Sequence, residues 1–144
     1  MPCRRVFLAA LATAGFAGCV TGPQADREVY TLVLIDGKPL PTSAQDLPEG
    51  FEIVSASLDF DPAAGIVHFS QVTRGPGGTE SSSVDREYQR TLDTVIINLC
   101  PPLALCLLRT ELIGTLTESR LELTHWLGAM PRSTFRFERS GRPR

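Results

Sequence analysis

Few residues in this chain have side chains able to do chemistry. Four cysteines, two histidines and 16 carboxylates are spread over 144 residues. Cys100 and Cys106 enclose two prolines, two leucines and an alanine. That spacing is not the Cys-x-x-Cys of thiol–disulfide exchange. His68 and His125 are the only histidines, and neither has a second ligand nearby at metal-binding spacing. His68 is expected to point to solvent and His125 to end a strand. Asp59, Asp61, Glu87 and Asp93 are scattered over turns and outward faces, where a charge ordinarily does no more than solvate. Serines are plentiful, but no Gly-x-Ser-x-Gly elbow holds one as a nucleophile. Gly75-Pro76-Gly77-Gly78 reads as a turn and not as a phosphate cradle. The expectation is a protein that is not an enzyme and takes no cofactor or metal.

Cys19 stands apart from the other cysteines. Arg4 and Arg5 form a short positive stretch, residues 6–16 are apolar except for Thr13 and Gly15, and Ala17-Gly18 places small residues just before the cysteine. This is the tripartite pattern of a signal peptide. Its apolar run is too short for a permanent membrane helix, which needs about 20 residues. Phe16-Ala17-Gly18-Cys19 resembles a bacterial lipobox, with Phe16 where leucine is usual. The resemblance implies that residues 1–18 are removed and that Cys19 becomes the first residue, carrying a diacylglyceryl group. The protein would then be lipid-anchored in the bacterial cell envelope, facing outside the cytoplasm. Two or more acyl chains hold a protein stably, at about 0.8 kcal/mol per buried methylene. An ordinary secretory signal with an incidental cysteine is the competing reading. Arg4-Arg5-Val6-Phe7-Leu8 also resembles a twin-arginine export motif, although two arginines serve simply as signal-peptide charge too. Val20 after Cys19, where aspartate is absent, resembles outer-membrane sorting in a Gram-negative cell.

With Cys3 removed and Cys19 lipidated, Cys100 and Cys106 remain as an even pair outside the cytoplasm. A disulfide is the expectation, and two packed thiols the alternative. The 12 basic and 16 acidic residues of 19–144 give a formal charge of −4. Without a basic patch, nucleic acid is not an expected partner. The same stretch is one domain's length and can bury well over half of its unfolded surface without help from a metal.

The elements that must position these residues read as strands. Residues 20–28 lack periodicity and contain Gly22 and Pro23, so 19–28 is a tether. Residues 30–35 are β-branched and apolar on both faces. Asp36-Gly37-Lys38 turns, and Pro39-Leu40-Pro41 is expected to leave the sheet because proline cannot donate to a ladder. The Tyr-x-Leu opening followed by Asp-Gly-Lys-Pro-Leu-Pro resembles the start of small lipocalin-like domains of bacterial lipoproteins. That resemblance implies a β-meander over about 29–139, with the 42–50 loop and the proline-rich segment at Cys100 as departures.

Residues 52–60 alternate, with Val54, Ala56, Leu58 and Phe60 on one face. Residues 66–73 return with Val67 and Phe69 inward, and 74–78 form a looser turn. Residues 80–92 read as a polar strand with Val84, Tyr88 and Leu92 on one face; a helix over 84–92 competes, because these three lie four apart. Strands over 94–99, 107–116, 121–126 and 134–139 complete about eight, and 140–144 is a polar tail. The fold class is all-β: a small antiparallel up-and-down meander, closed or nearly closed into a barrel. A sandwich is the alternative.

Two functional readings follow. As a binding module for a small apolar ligand, the barrel would hold a cavity lined by Leu58, Phe69, Leu112 and Phe137. Trp126, with Leu127, Met130, Pro131 and Leu103-Ala104-Leu105, would rim its mouth. As an envelope protein–protein interaction or inhibitor module, it would have a filled core and work through the 100–106 loop.

Overall fold

The computed structural model describes residues 27–101 and 103–140. The expected signal peptide, the expected lipidation site Cys19, tether residues 19–26 and tail residues 141–144 lie outside the described residues. Among the described residues nine strands follow one another: β1 (Glu28–Ile35), β2 (Lys38–Pro39), β3 (Glu52–Asp61), β4 (Ile66–Gly75), β5 (Gly78–Thr91), β6 (Thr94–Asn98), β7 (Thr110–Leu116), β8 (Arg120–Leu127) and β9 (Met130–Arg139). Each long strand pairs antiparallel with the next, and β9 pairs back onto β1. The result is a closed eight-stranded up-and-down barrel with β2 as an extra strand on the flank of β1. Closure leaves the eight long strands without a bare edge. The sandwich alternative falls with it, and so does the helix over 84–92, because β5 runs unbroken through that stretch.

Alternation builds the interior. Leu58, Phe60, Val67, Val95, Ile97, Leu121 and Leu123 are buried, while their sequence neighbours face outward or lie half-exposed. Three bulges break the strict period of two. On β1, Leu32 pairs with Phe137 and Leu34 with Arg136, so Val33 is the additional residue. This lets Tyr30, Leu32 and Ile35 all reach the core. On β3, Ile53 pairs with Thr73 and Ser55 with Val72. Ile53 is therefore buried and Val54 is not, which corrects the expected face. On β9, Arg132 and Ser133 together oppose His125. A bulge turns one side chain over and sharpens the local twist.

Several turns also differ from expectation. Asp36 and Gly37 both have positive φ, at 50° and 76°, the conformation of a two-residue hairpin matched to strand twist. That hairpin brings Pro39 back onto β1 opposite Leu34, so the proline stays in the sheet. It occupies a two-residue edge strand, where a missing N–H costs little. Pro76-Gly77 is a tight two-residue turn rather than a loose one, since Gly75 pairs with Gly78. Leu92 is not a strand residue; it forms the β5–β6 turn with Asp93, at φ 51° and almost fully exposed. β7 begins at Thr110 and not at residue 107, because Leu107 and Leu108 continue the irregular segment beyond Cys106 and are exposed.

The two barrel ends differ. The strand register gathers the start of β1, the end of β9 and the turns at 61–65, 92–93 and 117–119 at one end. There an aromatic group closes the interior: Phe60 meets Tyr30 edge-to-face at 5.8 Å and Tyr88 at 4.9 Å. Glu28 accepts hydrogen bonds at this end from Tyr30 Oη at 3.2 Å and Arg90 at 3.1 Å. The opposite end carries the 40–51 segment, the 76–77 and 128–129 turns and the disulfide loop.

Candidate functional site

The opposite end holds a cavity of about 150 Å³. Leu32, Ile53, Ala56, Phe69, Leu112 and Phe137 form much of its wall, and Gln71, Leu99, His125 and Phe135 also line it. The 42–50 segment, read from sequence only as a loop, supplies a cover. Thr42 bridges to Ile53, both backbone hydrogen bonds being made. Ala44 is buried, Leu47 packs on the core, and both line the cavity together with Asp46.

Side-chain bonds hold that cover down. Asp46 Oδ2 receives His125 Nδ1 at 2.5 Å, and Asp46 Oδ1 receives Arg132 Nε at 2.8 Å. The β9 bulge places the remaining fastener: Ser133 is fully buried, and its Oγ accepts the Gln45 N–H at 2.8 Å. Burial alone would raise the Asp46 carboxyl. The hydrogen bonds from Arg132 and His125, with their charges, outweigh it and hold Asp46 below the usual carboxylate range. A carboxyl depressed in this way stabilises the folded arrangement above its ordinary pKa, and that contribution disappears as pH falls through the depressed value. Acidification below about pH 4 is therefore expected to loosen 42–47 before the barrel opens. Amide exchange at Gln45 and Leu47, corrected for intrinsic rate, would accelerate while β-strand amides stay protected. Asp46→Asn should produce the same loosening at neutral pH.

His125 does not end its strand, since β8 runs on to Leu127; it follows Leu121 and Leu123 in the inward row, and its place in the cavity wall was not expected. Its Nε2 is buried without a hydrogen-bond partner. The partner of its Nδ1 lies 79 residues away, so no local motif signals the pair. His68 is half-exposed on the outer face of β4, with Nδ1 2.5 Å from Asp85 of β5.

The other sequence-derived site residues separate. Phe69, Leu112 and Phe137 line the cavity. Leu58 is fully buried opposite Tyr30 and Phe69, in the packed core and not in the cavity wall. Trp126 faces outward, half-buried, opposite Glu111 and Pro131. Cys100 and Cys106 form a disulfide. The loop it closes carries Leu103 and Leu105, and Leu107 follows it directly; all three are at 94% exposure or more. Among the described residues no three His, Cys, Asp or Glu side chains gather where a metal ion could be held. In comparison with known proteins, no family model, no curated protein and no solved structure matches this chain.

Proposed function

We propose that this protein is a lipid-anchored, lipocalin-like binding module of the bacterial cell envelope, acting without catalysis on a small apolar ligand. The observation that carries the reading is the cavity at the barrel end remote from the start of β1, walled by aliphatic and aromatic side chains and covered by 42–47. A mostly apolar space of about this size accepts a molecule as large as benzene. The ligand, or the part of it that enters, is thus a single ring or a short branched chain and not an extended acyl chain. The lipobox-like stretch at Cys19 supports the anchor, and Val20 supports outer-membrane sorting. A tether reaching the barrel at Glu28 would hold the cavity end away from the bilayer.

Titrating the purified full-length protein with benzene, followed by methyl chemical shifts of Leu32 and Leu112, tests the cavity. Saturable shifts at those residues are expected, and Ala56→Leu should abolish them by filling the space. No saturable shift in the unmodified protein would overturn the reading. Mass spectrometry of the N-terminal peptide tests the anchor: a diacylglyceryl increment on Cys19 is expected, and an unmodified peptide ending the signal elsewhere would remove it.

One observation favours a second reading, an envelope protein–protein interaction or inhibitor module. Two leucines stand exposed on a loop closed by a disulfide and a third, Leu107, directly after it, the composition of a preorganised docking element. Changing Leu103, Leu105 and Leu107 to serine would leave the melting temperature unchanged and remove any partner that depends on this loop.

A further inference from the structure

We propose that two copies of this chain pair through β5, strand against antiparallel strand, about a two-fold axis at Ser83. Nothing in this pairing depends on what the cavity holds.

No long strand lacks a neighbour on either side, yet β5 outreaches one of its two. β4 follows it from the Gly75–Gly78 pair to the Ile66–Glu87 pair without a bulge. β6 pairs with it only over Tyr88–Thr91. Residues 79–85 are all exposed, and among the described residues no backbone group outside β4 bonds to them. The Tyr88 N–H turns to the β4 side, toward the carbonyl of Gly65. Backbone groups alternate in direction along a strand, so Ser81, Ser83 and Asp85 turn theirs to the unoccupied flank. Such a flank is a template for a further strand, and the lysine, proline or bulge that commonly guards one is missing from 78–86.

Self-pairing has few registers. Residues directly opposed in an antiparallel pair are both hydrogen-bonded or both not, so a strand meets its own copy only with one residue facing itself. With Ser83 at that point, Ser81 faces Asp85, Ser82 faces Val84 and Glu80 faces Arg86, each of them twice. About six backbone hydrogen bonds follow from this pattern. Glu80 and Arg86 share the inner face of β5, opposite Thr73 and Val67. Inward charges are another guard of a free flank, and in this register they pair with each other while no like charges meet. Moving the axis to Ser82 or Val84 separates both ion pairs, so cross-strand charge favours Ser83. Arg86 already bends to this flank: its Nη1 donates to the Asp85 carbonyl at 2.8 Å. That oxygen keeps a second lone pair for the Ser81 N–H of the other copy. Beyond Arg86 the other copy brings only Thr79 and its Gly-Pro-Gly-Gly turn, small enough for the hollow that Arg86 and Glu87 share with the disulfide loop at Cys100 and Leu103. The exposed Leu103 side chain gains a cover there.

Sedimentation of the full-length protein in density-matched detergent reads the association, and a dimer is expected. Glu80→Arg or Arg86→Glu alone sets like charges face to face twice and should raise the dissociation constant about tenfold or more. An equal mixture of the two variants should dimerise as well as the parent, because every opposed charge between them is again of opposite sign. Ser83→Pro serves should Arg86→Glu fail to fold. It removes an N–H that faces away from β4, which an edge strand tolerates, and should leave a folded monomer. A parent that stays monomeric, a dimer indifferent to Glu80→Arg and Ser83→Pro, or charge variants that remain apart when mixed would each overturn the proposal.

Discussion

Phe60→Ala will lower the unfolding free energy by about 3–5 kcal/mol, the usual cost of deleting a buried aromatic side chain. Phe60 is central to the aromatic group that closes one barrel end. Its ring contacts Tyr30 and Tyr88 edge-to-face, with interplanar angles of 87° and 80°. Each such pair is worth about 0.5–1.5 kcal/mol beyond the area buried. The three residues come from β1, β3 and β5, and strands paired around a closed barrel cannot collapse independently into the space left behind. Urea denaturation would show the midpoint falling with little change in slope. Phe60→Leu should keep more than half of the lost stability. Benzene binding should persist in both variants under native conditions, since Phe60 is not part of the cavity wall. Loss of binding with stability intact would mean that the two barrel ends are not the separate compartments described above.

Gly114→Ala will be the most damaging single-methyl addition in the barrel. A Cβ at this position would stand 1.7 Å from the carbonyl oxygen of Glu122 and 2.8 Å from Leu123 Cα. Those atoms are backbone, so no rotamer change makes room. The β7–β8 ladder would have to open where Gly114 pairs with Leu123 and Val95. Overpacking a well-filled interior typically costs about 1–3 kcal/mol, and displacing a paired strand adds to that. The expected result is a melting temperature lower by many degrees, with amide protection lost first at Ile113 and Leu123. Gly77→Ala is the control. No atom lies within 4 Å of its added carbon, its φ is ordinary, and its stability should stay within about 0.5 kcal/mol of the parent.

The all-β class and strand sequence were legible because half-buried strands announce themselves in alternating residues. Leu121, Leu123 and His125 against Glu122, Thr124 and Trp126 is such a stretch. The bulges were not legible. Val33 and Val54 are as apolar as the residues they displace, and only pairing with a neighbouring strand decides which of two adjacent valines or isoleucines turns inward. The disulfide followed from counting cysteines. The cavity was half legible: Phe69, Leu112 and Phe137 follow from inward alternation, but alternation cannot say which inward residues touch each other and which border empty space, so Leu58 was grouped with them. Trp126 was placed at the mouth because it lies near a strand end, although the parity of β8 turns it outward. Asp46 escaped notice entirely. It lies in a loop without periodicity, and its meaning comes from His125 and Arg132, which reach it only once the barrel has closed.

The seam of the barrel has a consequence for how this domain can be rearranged. β1 and β9 are the first and last strands, and they are bonded neighbours; the Ser140 N–H donates to the carbonyl of Val29 at 2.8 Å. The sheet is thus a ring of hairpins in which the natural ends are one more adjacent pair. Joining them through a short linker and reopening the chain at Pro76-Gly77 would preserve every ladder and produce a circular permutant with its new ends beside the covered cavity. Chain ends lying close together at the surface are the usual condition for such permutation. In that form an anchor attached at the new N-terminus would invert the barrel on its support, turning the cavity toward the surface from which the proposed anchor at Cys19 would hold it away.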